Sequence, residues 1–519
     1  MIASVESFVL SGIDPLLCEI EVRVATALAD PEKGPPRPMV VGLPDAAVRE
    51  SIERVSAAVE HSGHAMPAAP TTISLAPASI RKEGPVFDLP IAVGLLSARG
   101  AVPDGAANGL LMAGELALDG RVRPVPGVIN MAILARDRGA RGVIVPAANA
   151  GEAWAVGGVP VYPVNHLRDV IALLDSAELA DPPPPPARPA AHDRSIEMGA
   201  DAAIPDFSEI RGQEGVKRAL VVAAAGAHNA LMIGPPGSGK TMLARGLPGI
   251  LPPLSHAEAL ETTRIHSVAR QSPGGTLITR RPVRSPHHTA SAAAIIGGGT
   301  HPRPGEVSLA HHGVLFLDEL PEFPRGVLET LRQPLEDHRV EIARARASVS
   351  YPARFMLLAA CNPTPRGYTP ENPAAEKAMS RYLEKLSGPL VDRIDIHCEV
   401  PAVPHAALMD ATPATPSRDL RAQVIAARAI QAERQGGALR PNATLTHAEL
   451  DRVAPLDAAC RSLMAEALDT LGLTARAYDK LRRVARTLAD LAAAPDITEE
   501  HLLEALSYRI LDRQTAGAA

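Results

Sequence analysis

Cysteine is scarce in this chain. Its four cysteines among 519 residues (Cys18, Cys361, Cys398 and Cys460) lie far apart and never in a C-x-x-C spacing. That excludes a disulfide framework and a cysteine-built zinc site, and makes a reducing cytoplasm the expected compartment. A charge excess of one sign is also lacking. Lysine and arginine number 52 against 58 acidic residues, a formal charge of −6, so there is no global basic signature of nucleic-acid binding and any such contact must be local. Long hydrophobic runs are missing as well. The longest uncharged stretch, 219–239, is broken by His228, Asn229 and a Gly/Pro cluster, which argues against a membrane span. The opening MIASVESFVL has no basic segment and no cleavage-like site, so a secretory signal is not expected. No repeat of roughly 20–50 residues recurs.

Proline, by contrast, is abundant, with 50 residues where an average chain has about half that share. At roughly 100–200 residues per domain the length predicts about three domains. The content of 46% apolar and 21% charged residues is that of a folded soluble protein. The prolines of DPPPPPARPA (Asp181–Ala190) can neither continue a helix nor donate to a strand ladder, which predicts a stiff linker over 181–203. Before it, residues 1–180 mix strand-like and helix-like patterns. CEIEVRVATAL (Cys18–Leu28) is apolar at every second position and VIVPA after Gly142 reads as a short buried strand, predicting an α/β domain. After it, residues 204–402 hold the short apolar runs ALMIG (230–234), VLFLDEL (314–320) and RFMLLAACN (354–362), the pattern of a parallel nucleotide-binding sheet. Residues 403–519 repeat Ala, Leu and Arg at helical spacing, predicting a helical domain.

GPPGSGKT, Gly234–Thr241, fits G-x-x-x-x-G-K-[ST] between the apolar run ALMI and the helix-compatible MLARGL. Through Gly234, Pro235, Pro236, Gly237, Ser238 and Gly239 the backbone can curl its N–H groups round phosphates, Lys240 can reach the β- and γ-phosphates, and the Thr241 hydroxyl can bind Mg²⁺. In VLFLDEL four apolar residues deliver Asp318 and Glu319 to a strand end, where Asp318 would hold the metal and Glu319 would polarise a water. An acid pair alone would equally suit a helix cap, and the pairing with Lys240 favours the catalytic reading. Asn362 ends the next strand, placed to orient that water; alone it would equally suit a turn. Arg393 in LSGPLVDRIDI and Arg476 in TARAYDKL are arginines that would stabilise transition-state charge on a neighbour's nucleotide, or simply make surface salt bridges. Two basic segments stand out. ITRRPVRSPHHTAS (278–291) carries Arg280, Arg281, Arg284, His287 and His288, and HRVEIARARASVSYPARF (338–355) carries Arg339, Arg344, Arg346 and Arg354 in a hairpin-like alternation. Repeated round a ring, such loops would track a nucleic-acid backbone; the alternative is a solvated hairpin edge.

Together these motifs resemble an AAA+ ATPase. RGQEGVKRAL (211–220), RSPHHTASAAAIIGGG (284–299), PGEVSLAHHGVLFLDELPEF (304–323), LSGPLVDRIDI (386–396) and TARAYDKLRRVARTLADL (474–491) are similar to the magnesium-chelatase-like branch that includes the ComM/YifB proteins. The resemblance covers nearly the whole chain. It implies a P-loop parallel-sheet core with a C-terminal helical lid and a hexamer with ATP and Mg²⁺ between subunits. It further implies Walker A at 234–241, Walker B at Asp318 and Glu319, sensor 1 at Asn362, sensor 2 at Arg476, and an arginine finger at Arg393 or else Arg381. The implied activity is a DNA helicase promoting branch migration of recombination intermediates in natural transformation, with DNA contacts through Arg280, Arg281, Arg284, Arg344 and Arg346. The alternatives are a magnesium-chelatase-type remodelling subunit and a chaperone-type ATPase. A missing D-x-S-x-S string counts against the first, and the lack of an aromatic pore loop against the second.

The N-terminal domain resembles the Lon protease domain, a ribosomal S5 domain 2-like fold, in RKEGPVFDLPIAVGLLSA (81–98) and AGELALDGRVRPVPGVINMAILARDRGARGVIVP (113–146). A Ser–Lys protease needs a hydroxyl nucleophile and an amine base. The matching positions are Val86 and Ile129, and Ser79 and Lys82 do not fit the spacing, so an inactive module is expected. Many relatives carry a cysteine-rich insertion where this chain reads CNPTPRGYTPENPAAEKAMSRYL (361–383) with Cys361 alone, so no zinc is expected.

Overall fold

The structure is a computed structural model that describes residues 2–26, 37–176, 179–185, 204–269, 271, 276–299, 302–344, 347–363, 388–403, 414–437 and 440–509. Most of the expected linker, Arg346, Arg381 and most of 361–383 lie outside the described residues. Two compact units emerge. The first joins Met1–Asp193 with Ser255–Thr279 and Ala343–Tyr351, and the second joins Arg194–Leu254, Arg280–Ile342 and Pro352–Ala519.

The first unit is a mixed sheet of seven strands: β1 (Ile2–Ser11), β2 (Asp14–Val24), β3 (Met39–Val41), β4 (Thr71–Ala76), β5 (Leu110–Met112), β6 (Gly142–Pro146) and β7 (Val161–Val164), in the order β3-β4-β2-β1-β5-β6-β7. The alternation read in β2 decides its faces, with Cys18, Ile20 and Val22 buried and Glu19, Glu21 and Arg23 outside. β1 and β2 form a hairpin closed at Ser11 and Asp14. At its turn Gly12 has φ +68°, and a Cβ there would come within 2.5 Å of Val349, so the turn needs glycine on both counts. Because neighbouring strand residues face opposite ways, the sheet feeds two apolar cores. Val5, Val9 and Ile144 join one, with α1 (Ala46–His61) and the wholly buried α2 (Asp88–Ala98). Phe8, Val143 and Val145 join the other, with α3 (Val128–Asp137) and α4 (Ala150–Val156).

That second core has a cover the sequence reading did not anticipate. The helix His256–Val268, from within the span read as ATPase core, packs on α3 and α4, and Leu260 and Leu277 complete the apolar cluster. A capping box between Ser255 and Glu258 starts this helix. Its polar residues grip α3: Arg264 donates to Asn130 at 2.7 Å, and the Gly127 N–H donates to the Ser267 hydroxyl at 2.9 Å.

The second unit holds a five-stranded sheet, β8 (Ala230–Ile233), β9 (Val283–Arg284), β10 (Val314–Leu317), β11 (Met356–Cys361) and β12 (Ile396–Glu399), ordered β9-β10-β11-β8-β12. All the pairings are parallel, as the apolar runs predict. All of β10 and β11 is buried, which is why these strands read as continuous apolar runs rather than alternations. From β8 the chain crosses to one side for β9, β10 and β11 and returns to the other for β12. Such a switch point leaves a crevice at the carboxyl ends of β8 and β11. The C-terminal helices, among them Ser417–Arg434 and Ala475–Leu491, share one apolar core with this sheet and do not stand as a separate compact unit. Among the described residues no helix is long and apolar enough to cross a membrane.

Candidate nucleotide site

At the switch point β8 runs into the phosphate-type loop. Gly237 and Gly239 hold left-handed φ of +76° and +93°, and a Cβ on either would meet nothing within 4 Å, so they form an open cradle. Gly234 is tight instead, since a Cβ there would fall 2.1 Å from the Val400 carbonyl oxygen. The helix Lys240–Gly246 starts directly behind the loop, aiming its first N–H groups at the cradle. Lys240 donates to the carbonyls of Gly234 (2.7 Å) and Pro235 (2.8 Å) and to Asn362 Oδ1 (3.1 Å). Burial lowers the pKa of its ammonium, and Asp318, Cys361 and Glu319 pull it back up. The Cys361 thiol, at the end of β11, is pushed up to about 12 by burial, with Lys240 pulling it down.

Asp318 follows β10 and uses both carboxylate oxygens, one accepting from the Thr241 hydroxyl at 2.8 Å and the other from the Glu319 N–H at 2.9 Å. Glu319 lies in the left-handed region at φ +53°. Its carboxylate meets His288 Nδ1 at 3.3 Å. The donor set fits a polyphosphate with a hard divalent cation. A hydroxyl and a carboxylate oxygen already converge, which is what such a cation takes, and the Ser238 hydroxyl in the loop is a buried polar atom without a hydrogen-bond partner.

Two residues here carried no role at the nucleotide in the sequence reading. Gln213, in the RGQEG string, donates to the carbonyls of Ser238 (3.2 Å) and Pro401 (2.6 Å), bracing the loop. His288 is the other. Both sit inside quoted strings, yet nothing in their spacing points to the loop or the acid.

Arg393 and Arg476 are not at this end of the sheet. Arg393 precedes β12, and its carbonyl accepts from Asn229 at 3.0 Å, just before β8 begins. From Asn229 to Gly234 is five residues, about 16 Å of strand at roughly 3.3 Å per residue. The Arg393 guanidinium pairs with Glu336. Arg476, starting the helix Ala475–Leu491, pairs with Asp392 at 3.3 Å. Both arginines, Arg393 and the sensor 2 candidate Arg476, thus belong to the amino end of the sheet, across from the chain's own cradle.

The basic segment 278–291 is also less open than its sequence suggests. Arg284 makes a two-pronged pair with Glu306 at 2.6 and 2.9 Å, and Arg281 donates to the carbonyls of Pro252 and His312. Burial and the nearby Arg421 lower the pKa of Arg280. Within this chain Arg281 and Arg284 thus serve as internal braces. Arg346 lies outside the described residues. In the first unit, Val86 and Ile129 pack against one apolar cluster, and Lys82 is fully buried with its amine on the Pro77 carbonyl.

Sequence comparisons agree with this geometry. Residues 206–408 match the family described as magnesium chelatase, subunit ChlI, residues 28–149 match subunit ChlI of Mg-chelatase, and residues 414–509 match its C-terminal part. The chain is 42% identical to the protein YifB of Salmonella typhimurium over 97% of this chain and 96% of that one. It is 41% identical to the competence protein ComM of Haemophilus influenzae over 99% of this chain and 98% of that one. The magnesium-chelatase 38 kDa subunit of Rhodobacter capsulatus is more distant, at 26% over 59% of this chain. A nucleotide-type cradle on an all-parallel sheet, together with full-length identity above two fifths, leads to one conclusion: the chain belongs to the ComM/YifB family of magnesium-chelatase-like AAA+ proteins.

Proposed function

We propose that this protein is a ring-forming ATPase that acts as a motor on DNA, hydrolysing ATP at the interfaces between subunits. The observation that carries the reading is the separation of parts. Lys240, Thr241, Asp318 and Asn362 gather at one end of the sheet, while Arg393 and Arg476 stand at the other. A hydrolytic site that needs an arginine against the γ-phosphate is incomplete in one chain and complete between two.

Within that site Lys240 and the loop N–H groups bind the β- and γ-phosphates. Mg²⁺, held by Thr241 and Asp318, would neutralise phosphate charge. Glu319 accepts the proton of the attacking water, and Asn362, already bonded to Lys240, positions that water. Arg393 and Arg476 are presented to the neighbouring subunit's nucleotide, where they stabilise the charge spread over the transferred group.

DNA as the substrate is supported by likeness to a relative named for competence and by the hairpin strands Arg339–Arg344 and Ala347–Pro352, where Arg339 is well exposed. Purified protein should hydrolyse ATP faster with single-stranded or four-way-junction DNA and should displace strands, while Lys240→Ala does neither. A double substitution of Arg344 and Arg346 to alanine should abolish DNA stimulation and leave basal hydrolysis intact. Hydrolysis indifferent to every DNA tested would sink the motor reading and favour a protein-remodelling role of the chelatase kind.

A further inference from the structure

We propose that the outer edge of β3 docks an extended, apolar segment of a partner protein, which adds to the sheet of the first unit as a further strand. β3 stands at the end of the strand order. On one side it pairs with β4, Met39 to Thr72, Val40 to Ile73 and Val41 to Ser74. Among the described residues no strand pairs with its other side. Backbone N–H and C=O groups along such an edge are satisfied by water or by another extended chain.

The side chains suit that use. Val40 packs against the core. Met39 and Val41, which share the opposite face of the strand, are 59% and 38% exposed, and Leu43 beyond them is 55% exposed. Apolar residues at every second position select an extended partner with the same spacing. Leu43 carries the argument further, because its φ of +58° lies in the left-handed region, where glycine or asparagine fits better than leucine. The backbone imposes this bend. A Cβ on Gly42 would fall 2.1 Å from the Leu75 carbonyl oxygen. The Leu43 carbonyl accepts from the Lys82 N–H at 3.1 Å, and the Asp45 N–H donates to the Lys82 carbonyl at 3.0 Å. The Asp45 carboxylate in turn takes the Val48 and Gly84 N–H groups at 2.7 and 3.1 Å. The fold thus holds a strained residue in place and leaves its apolar side chain in water, where it adds nothing to the core.

The surroundings decide the occupant. Nearby charges come in opposite pairs, Arg37 with Glu53 at 2.9 Å and Arg81 with Glu83 at 3.8 Å. The edge therefore offers no cationic field to a nucleic acid and suits an uncharged segment. Pro38 and Pro44 bracket it, and since proline has no N–H the ladder can use only the five residues between them. Five residues serve a peptide. Two folded copies would need roughly 800 Å² from each, more than so short an edge supplies.

A fluorescein-labelled peptide of alternating threonine and valine, with a lysine at each end, tests this on the full chain by anisotropy, with hydrogen exchange read over residues 39–43. The control is the same peptide N-methylated at alternate residues, so that its backbone cannot pair. Wild type should bind the first peptide, slow the exchange of those amides, and bind the methylated one at least about tenfold more weakly. Val41→Lys adds a charge of the kind that keeps strands off natural edges, and Leu43→Gly removes the side chain at a φ that glycine accepts. Each should weaken binding at least about tenfold, with the unfolding midpoint unmoved by the first and unmoved or raised by the second. No binding at millimolar peptide, or equal binding by the methylated peptide or by both variants, overturns the proposal. So does slow exchange over 39–43 in the protein alone, which would mean that the chain covers its own edge. An assembly that loses mass on Val41→Lys would make the occupant a second copy and overturn it too.

Discussion

The two ends of the five-stranded sheet are built from opposite materials. At the carboxyl ends a few groups meet in pairs, only Lys240 among them buried: Lys240 with Asn362, Thr241 with Asp318, Glu319 with His288. At the amino ends polar groups are buried and bind one another densely. His228 lies 2.8 Å from the Thr487 hydroxyl, and Asn442 donates to Thr487 and to Asp490. Asp490 also takes Arg434 and Arg486. Asn229 joins the starts of three strands by donating to the Arg393 carbonyl and accepting from Leu357 N–H. Chemistry needs groups that can change partners, whereas presenting an arginine to another subunit needs a rigid mount. The difference teaches which substitutions should change rate alone and which should unfold the chain.

The largest effect should come from Arg393→Ala, with a fall in kcat of about 10³-fold or more and near-normal nucleotide binding by titration with a fluorescent analogue. Mixing this variant with Lys240→Ala should restore part of the activity, because one supplies the intact cradle and the other the arginine; no recovery in the mixture would break the assignment of opposite ends to different subunits.

Next comes the rigid mount itself. Asp490→Ala leaves the buried Arg486 and the partly buried Arg434 without their shared carboxylate, and breaking such a buried group costs about 3–5 kcal/mol. Chemical denaturation should show that loss, while Glu319→Gln, lying at the other end, should leave the midpoint almost unmoved.

Acid should separate the ends further. Burial alone would raise the Asp395 carboxyl, but the His228 hydrogen bond and the charges of Lys480, His228 and Arg483 outweigh it and hold the pKa at about 2. A carboxyl depressed on folding gives stability that is present above its unfolded pKa, near 4, and is lost as pH falls through its folded value. That contribution is on the order of 2 kcal/mol. Denaturation midpoints of Asp395→Asn should therefore decline less than wild type between about pH 4 and pH 2; parallel declines would show that Asp395 is not tied into the network.

The smallest effect should come from Thr474→Ala. The Thr474 hydroxyl caps the helix that carries Arg476 by accepting from the Ala477 N–H at 3.3 Å, and losing a cap costs about 1 kcal/mol. A fall in melting temperature with a nearly unchanged kcat would place the cap on the mount's side of the comparison.

What could be read from the sequence was what is local along it. Gly234–Thr241 is contiguous, and the strands that carry Asp318 and Asn362 announce themselves as apolar runs because all their residues are buried. The parallel sheet followed from those runs. Contacts across the chain were not legible. Arg284 looked like a surface cation because nothing nearby showed that Glu306, 22 residues on, would take its guanidinium. His288 stood in a recognised string with no hint that it meets Glu319. Arg476 stood at the start of a basic helix with nothing along the chain to show that it meets Asp392, 84 residues earlier. The helix His256–Val268 was not singled out in the sequence, and nothing along the chain shows which core it covers. The division into 204–402 and 403–519 likewise followed composition, while packing joins the sheet and the C-terminal helices in one core and sends 255–279 to the first unit.

That excursion has a consequence for how the protein is made. The Gly127 N–H finds its acceptor at Ser267, 140 residues downstream, and the turn at Gly12 packs on Val349. A ribosome that has just finished the proline-rich stretch has therefore delivered most of the first unit without Leu260, Leu277 or Val349. The nascent module waits with one apolar face uncovered until Leu277, 87 residues beyond Ala190, has been translated. Cutting the gene at the prolines would make that wait permanent, and the fragment would leave α3 and α4 open to any passing hydrophobic surface, including another copy of itself.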